Sequence, residues 1–229
     1  SFMAHGSLGL LPTPQNETLA SVQIPIKWVR GRIQFEIANM KASLRSSGAF
    51  ARATDTLMNR LVINLSDELN RMLSSGDGTG TLALVDGATT GTTVTVDAPA
   101  GIAGDLFGTR FLQAGMLVAF HDGTTLKGVR NIGAITSETG ATPGFTIDTA
   151  FTTTDNDKIV RAANSTVTNL TSDTSKDNEP MGLEGIVDDG TQITTFHNVS
   201  TTTYPDWQST RLSVTGLSLD ALQRLYDTV

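Results

Sequence analysis

Residues 50–80 read FARATDTLMNRLVINLSDELNRMLSSGDGTG and contain a long amphipathic pattern that ends in a glycine-rich turn. Large apolar residues recur every three or four positions, which is typical of one face of an α-helix. The pattern predicts an amphipathic helix of about 36 Å whose apolar stripe supplies most of its stability. Asp67 and Arg71 lie on the opposite, polar face, spaced for an exposed ion pair. The apolar positions are Phe50, Leu57, Met58, Leu61, Val62, Leu65, Leu69, Met72 and Leu73.

The segment that precedes the helix has a β-strand pattern. Apolar residues alternate from Val22 to Trp28 and again from Ile33 to Ile37, on either side of Arg30-Gly31-Arg32. Alternation interrupted by a glycine predicts a β-hairpin with its turn at Gly31. Pro25 lacks an N–H group, so its strand is expected at an edge.

The chain after the helix is rich in Thr and Gly and has the spacing of an all-β domain. Short apolar runs are separated by turn signals such as Asp122-Gly123, which favours a small sandwich or barrel. The predicted strands are Thr93–Val96, Met116–His121, Val129–Ile135, Phe145–Ile147 and Lys158–Arg161.

Three further elements follow this β-rich region. Residues 164–179 have few large apolar groups and are predicted to be a loop. Residues 181–187 have the pattern of a buried strand. Ser218 is placed to cap a helix that contains Leu219 and Leu222.

Composition and charge exclude several classes of function. The chain has 229 residues and no cysteine, so it has neither disulfides nor thiolate metal sites. Its apolar runs are far shorter than the roughly 20 residues that span a bilayer. Residues 1–75 carry 8 Lys/Arg and 5 Asp/Glu, and the remainder carries 8 and 18. This distribution lacks the concentrated basic surface expected of a protein that binds nucleic-acid phosphates.

Motifs that resemble catalytic or metal sites are incomplete. The Gly76–Gly80 turn follows a helix and lacks the Lys-Ser/Thr of a phosphate-binding loop. Residues 155–157 begin like a calcium loop, but no glutamate closes it. Asp188 and Asp189 are adjacent, and in a strand they point to opposite faces. The histidines, which are expected at surfaces or strand edges, have no metal-binding spacing. We therefore predict no enzyme activity, no catalytic or metal-binding residues and no cofactor; the histidines are His5, His121 and His197.

A hairpin followed by a long helix and a Gly-Asp-Gly-Thr-Gly turn resembles the E-loop and spine helix of HK97-like major capsid proteins of tailed phages or prophages. The later segments Met181–Gly190 and Tyr204-Pro205-Asp206-Trp207 add to this resemblance, which covers residues 10–85 and 180–227. It implies an α+β HK97-like fold with an inserted small all-β domain. The implied parts are an N-terminal extended segment (1–21), the E-loop hairpin (22–41), the spine helix and P-domain (42–85), the inserted β-domain (86–175) and a return to the P-domain and the start of the A-domain (176–229).

The resemblance implies that the chain is a structural subunit of an icosahedral shell that encloses double-stranded DNA. Its partners would be copies of itself in pentamers or hexamers, with scaffolding or decoration proteins as further possibilities. The packaged DNA would be only a non-specific neighbour, and no membrane would be involved. The location would be the virion, after synthesis in the bacterial cytoplasm. Residues expected to contact neighbouring subunits are Trp28, Arg30, Arg32, Ile33, Phe35 and Ile37.

Several alternatives stay open at this point. The apolar hairpin residues have an equally plausible role in covering the core of their own subunit. Some family members cross-link a lysine of the E-loop to an asparagine, and Lys27 and Lys41 lie in or beside the hairpin. The chief competing function is a β-rich module of a virion or cell-surface protein that binds a glycan or a host receptor. Family members also continue past the last helix, so the chain is expected to be a fragment, an incomplete subunit or a divergent relative.

Overall fold

The computed structural model describes residues 21–33, 47–98, 107–137, 143–188, 190, 193–209 and 218–228. Within these ranges the fold is α+β, with one long helix and a mostly antiparallel sheet. The helices are α1 (Ser47–Ser75), α2 (Leu183–Ile186) and α3 (Leu219–Thr228), with a 3-10 turn at Pro205–Trp207. The strands are β1 (Thr81–Val85), β2 (Thr93–Asp97), β3 (Leu117–His121), β4 (Leu126–Ser137), β5 (Gly144–Ile147), β6 (Lys158–Arg161), β7 (Thr195–Phe196) and β8 (Val199–Ser200).

Helix α1 confirms the helix predicted over residues 50–73. It has 29 residues, and at 1.5 Å per residue it is about 44 Å long. The glycine-rich turn ends it as expected, with Gly80 at a φ of 76°. A side chain at Gly80 would place its Cβ 2.1 Å from the carbonyl oxygen of Ser175, so only glycine fits. Asp77 closes the turn by accepting a 2.8 Å hydrogen bond from the backbone N–H of Thr79.

The described chain covers the α1 apolar stripe unevenly. Met72 is buried, but Met58, Val62 and Leu73 are exposed. Arg71, predicted on the exposed polar face, is only 8% exposed. The physical reason is that the rest of the described chain packs mainly against the C-terminal end of the helix, so periodicity alone does not determine which positions are covered.

Strands β1 to β6 form a closed antiparallel barrel in the order β1-β2-β5-β4-β3-β6. The five predicted strands are all present, and the barrel alternative is confirmed over the sandwich. Strand β1 was not predicted, although it pairs with both β2 and β6 and thereby closes the barrel. The barrel therefore begins before residue 86. Closure leaves no unpaired strand edge in the ring, which removes a common site of unwanted sheet pairing.

The barrel encloses the main hydrophobic core of the described chain. Phe120 and Phe145 are fully buried and stack with their ring centroids 6.5 Å apart. Inward-facing aliphatic residues from the other strands fill the remaining space, as is usual in a small barrel. These include Leu82, Val94, Val96, Ile132 and Ile159.

Two other predictions need correction and two are confirmed. Residues 181–187 form a β-bridge at Met181 and the short helix α2, and they do not form a strand; Leu183 is exposed. No strand is present in residues 21–33, which contradicts the first half of the predicted hairpin, and residues 34–41 lie outside the described ranges.

Residues 164–179 form turns, as predicted. Ser218 caps α3, since its Oγ accepts a 3.1 Å hydrogen bond from the N–H of Ala221.

In the described part of the chain, each helix is too short or too polar to cross a lipid bilayer.

Candidate interaction surface

Residues 21–33, here called the arm, form an extended segment with an exposed apolar face. The side chains of Ile24, Ile26 and Trp28 are 74%, 81% and 76% exposed. Trp28 therefore does not cover the core of its own subunit within the described chain, whereas Ile33 is half-buried. Exposed apolar residues grouped in this way usually mark a surface that binds another molecule.

The arm is also held against the body of the chain. The backbone N–H of Gln23 donates a 3.0 Å hydrogen bond to the carbonyl oxygen of His197. The Nζ of Lys27 donates to the carbonyl oxygen of Asp177. Farther along, the arm lies against α1, because a Cβ added at Gly31 would be 2.7 Å from a methyl carbon of Leu61. The arm thus contacts the body at a few points, and every side chain in it except those of Lys27 and Ile33 is exposed.

The structure places the predicted subunit contacts as follows. Trp28, Arg30 and Arg32 are exposed, and Ile33 is half-buried. Phe35 and Ile37 lie outside the described residues, as does Lys41. The exposed side chains of the arm thus combine large apolar groups with positive charge.

Helix α1 adds a second exposed apolar surface near the point where the arm crosses it. Val62 and Ile63, which follow Leu61, are 62% and 58% exposed. Met58 is 50% exposed. A stripe of this kind on a long helix is poorly stable in water without a partner, because helices in proteins depend on covering their apolar face.

A buried ion-pair network joins α1 to the barrel and to the loop before α2. The Nη2 of Arg71 lies 2.7 Å from Glu68 Oε1 and 2.6 Å from Glu179 Oε1. Arg161, at the end of β6, reaches the other oxygen of Glu68 at 2.9 Å. Burial raises the pKa of Glu179 even though Arg71 favours its charged form. The predicted Asp67–Arg71 pair is replaced by these contacts.

Between the arm and the body lies a cleft of about 770 Å³. Its floor comes from the turn that ends α1, the loop before α2 and the turn between β7 and β8. The side chains that line it on the body include Asp77, Asp177, Glu179, Met181, His197 and Asn198. Glu179 is already paired with Arg71, and Asp177 is paired with Lys176. Ile24, Pro25 and Lys27 of the arm complete the lining of the cleft.

His121 was expected at a surface or strand edge, but it is 1% exposed, at the end of β3. Its Nδ1 accepts a 3.0 Å hydrogen bond from the N–H of Gly123, and its Nε2 has no partner among the described residues. Burial, with the nearby charges of Lys176 and Lys158, lowers the pKa of His121 to about 4. The imidazole is therefore neutral near neutral pH.

The carboxylate residues in motifs that resemble catalytic or metal sites form local hydrogen bonds and ion pairs. Asp188 accepts hydrogen bonds of 2.9 Å from the N–H groups of Gly190 and Ile193. Asp157, in the sequence that resembles a calcium loop, is buried and pairs with Lys127 at 2.6 Å. Within the described ranges, no group of three or more His, Asp or Glu residues is arranged to hold a metal ion.

Sequence reasoning missed the buried roles of Arg71, Glu179 and His121. The position of Arg71 on the helix gave no sign of burial, because its partner Glu179 is 108 residues away. The β-bridge between Asp77 and Met181 holds the segment that contains Glu179 beside the end of α1.

No protein-family model, curated protein or solved structure matches this chain.

Proposed function

We propose that this chain is a structural subunit that assembles with copies of itself, as the subunits of HK97-like phage shells do. The observation that carries the proposal is the exposure of the arm's large apolar side chains, with Ile24, Ile26 and Trp28 each at least 74% exposed. Fully burying a side chain of this size stabilises an interface by about 1.5–3 kcal/mol. An arm with three such residues is suited to bind a neighbouring subunit.

The arrangement along the chain supports the same proposal. An arm with an apolar face precedes a 29-residue helix, and a barrel follows directly after the turn at the end of that helix. In this proposal, α1 is the spine helix, and the barrel is the inserted β-domain. Repeated symmetric contacts between copies would add to one another, so no single contact needs to be strong.

A glycan-binding or receptor-binding barrel has less support. Binding of a sugar ring usually requires an exposed aromatic side chain. Phe120 and Phe145 are buried in the barrel core, and Phe151 packs against Phe120 with ring centroids 5.3 Å apart. Phe107 is 50% exposed, so the expectation from the sequence that it belongs to the core is wrong, but a single exposed ring offers little stacking surface for a sugar.

Replacing Ile26 and Trp28 together with serine is expected to prevent assembly. The purified protein should form closed shells or rings in negative-stain electron micrographs, and the double variant should remain monomeric by light scattering. The loss of two apolar anchors is expected to raise the concentration needed for assembly by at least about a hundredfold, since every 1.4 kcal/mol is tenfold.

The matched control is Leu183→Ser, which removes an exposed apolar residue on α2 (59% exposed) outside the arm. This variant should assemble like the unchanged protein, and both variants should keep its circular dichroism spectrum. A protein that stays monomeric at all concentrations, or a double variant that assembles normally, would contradict the proposal.

A further inference from the structure

A second cavity lies between the polar face of α1 and the barrel. Helix α1 forms one wall, residues 110–116 between β2 and β3 line it from the barrel, and Arg161 at the end of β6 completes the lining used below. The cavity has a volume of about 320 Å³, which is at the lower end of the range for small-molecule sites. At about 30 Å³ for each water molecule, it has room for roughly ten waters or for a compound of similar size.

Three arginine side chains, those of Arg71, Arg110 and Arg161, line this cavity. The guanidinium carbons of Arg71 and Arg110 lie 5.5 Å and 4.7 Å from the ring centroid of Phe111. Packing on an aromatic ring restrains a guanidinium group without using its N–H groups. These N–H groups therefore remain available as hydrogen-bond donors in the plane of each guanidinium.

Ion pairs within the protein use only some of these donors. Glu68 accepts from Nε and Nη2 of Arg71 and from Nη2 of Arg161, and Glu179 accepts from Nη2 of Arg71. Over the residues that the structure describes, Nη1 of Arg71 and both Nε and Nη1 of Arg161 have no acceptor. The guanidinium of Arg110 likewise makes no hydrogen bond or ion pair to a described residue.

The burial of Arg71 makes its unused donor informative. Arg71 is 8% exposed, so an acceptor for its Nη1 has to enter the cavity that the side chain lines. A buried donor that lacks an acceptor costs free energy, and the cost is larger when the group is charged. Asn64, Asn70 and Gln113 add neutral amide groups to the same lining. The cavity is therefore suited to a ligand that is rich in hydrogen-bond acceptors.

We infer that this cavity binds a small molecule that carries an oxyanion, either a phosphate or a carboxylate group, through Arg71, Arg110 and Arg161. The planar fork of arginine N–H groups matches the oxygens of both anions. A bound oxyanion would contact α1 and the barrel together and hold them to each other. The site lies within one chain, so this inference does not depend on the self-assembly proposed above.

Isothermal titration calorimetry with inorganic phosphate, and separately with acetate, tests the inference on the full chain. A chloride buffer of fixed ionic strength keeps general screening constant. We expect saturable binding of at least one of the two anions at one site per chain, together with a midpoint of thermal unfolding that rises with its concentration. Tighter binding of phosphate would assign a phosphate-bearing ligand, and tighter binding of acetate would assign a carboxylate.

Two substitutions in the lining are expected to change the affinity in opposite directions. Arg110→Gln should weaken binding at least about tenfold, because it removes a charged donor. Asp67→Asn should strengthen binding several-fold, because the carboxylate of Asp67 lines the cavity and repels an anion. A variant that merely folds poorly would not bind more tightly, so the second substitution excludes a trivial loss of structure.

The matched control is Arg60→Gln, which removes an exposed arginine of α1 that does not line the cavity. It should bind the anion as the unchanged protein does, and all three variants should keep its circular dichroism spectrum. The inference is wrong if neither anion binds saturably. It is also wrong if Arg110→Gln binds as tightly as Arg60→Gln, or if Asp67→Asn leaves the affinity unchanged.

Discussion

Arg71→Met is expected to lower the free energy of unfolding by about 3–5 kcal/mol, because it removes one partner of a buried ion pair. The side chains of Arg71 and Glu179 are 7% and 4% exposed, so water cannot replace the lost contact. Glu179 would be left buried with no counter-charge beside it. The guanidinium of Arg71 also lies 5.5 Å from the ring centroid of Phe111, and this contact would be lost as well. Urea unfolding followed by circular dichroism measures the change.

The double variant Arg71→Met/Glu179→Met provides the control. Replacing both partners with apolar side chains of similar length removes the unpaired charge, and such replacements are often neutral or stabilising. The double variant is therefore expected to recover most of the stability lost in Arg71→Met. Glu68 keeps its contact with Arg161 in both variants. If Arg71→Met loses less than about 1 kcal/mol, the network does not hold α1 to the barrel as described.

Acidification is expected to destabilise the protein through His121. The folded-state pKa of His121 is lowered to about 4 from its ordinary value of 6.5, because the imidazole is buried. Between these values the unfolded chain binds the proton more readily than the folded chain does. The stability that the neutral His121 side chain contributes is fully present above pH 6.5 and is lost as the pH falls to about 4. The total loss is on the order of 3 kcal/mol.

His121→Asn isolates this effect, since asparagine has no group that titrates in this range and its carbonyl oxygen is an acceptor for Gly123. Urea unfolding at about pH 7, 5.5 and 4.5 should show a steeper loss for the unchanged protein than for the variant. Carboxyl groups titrate in both proteins, so their contributions to the loss of stability cancel when the two proteins are compared. The effect of Glu179 on the pH dependence of stability has the opposite sign, because its pKa is raised and acid therefore favours the folded state. Equal slopes for the two proteins would contradict the role assigned to His121.

Local patterns in the sequence predicted most of the secondary structure of the described chain. Helix α1 depends on a repeat of three to four residues and on the glycines that end it, and both are visible without tertiary contacts. Strand β1 was missed because five residues directly after a glycine turn carry little independent signal, and its pairing with β6 joins residues far apart in the chain. The arm was predicted as a hairpin strand from its alternation, yet alternation describes one covered face and does not specify whether a strand or another chain covers it.

The candidate surface was less predictable than the fold. Trp28, Arg30 and Arg32 were expected at a subunit contact because of the family resemblance, and all three side chains are exposed. It did not identify the cleft, since Asp77, Asp177 and His197 are separated by many residues and meet only in the folded chain.

The sequence alone predicted the long helix, the glycine turn that ends it, five strands of the barrel and the apolar character of the arm. Each of these depends on residues that are neighbours in the chain. Tertiary structure decided that the barrel closes through β1, that Arg71 and His121 are buried, and that the arm borders a cleft formed by segments distant in the chain. Burial and electrostatic pairing depend on which distant segments pack together, and packing of that kind is a property of the whole fold.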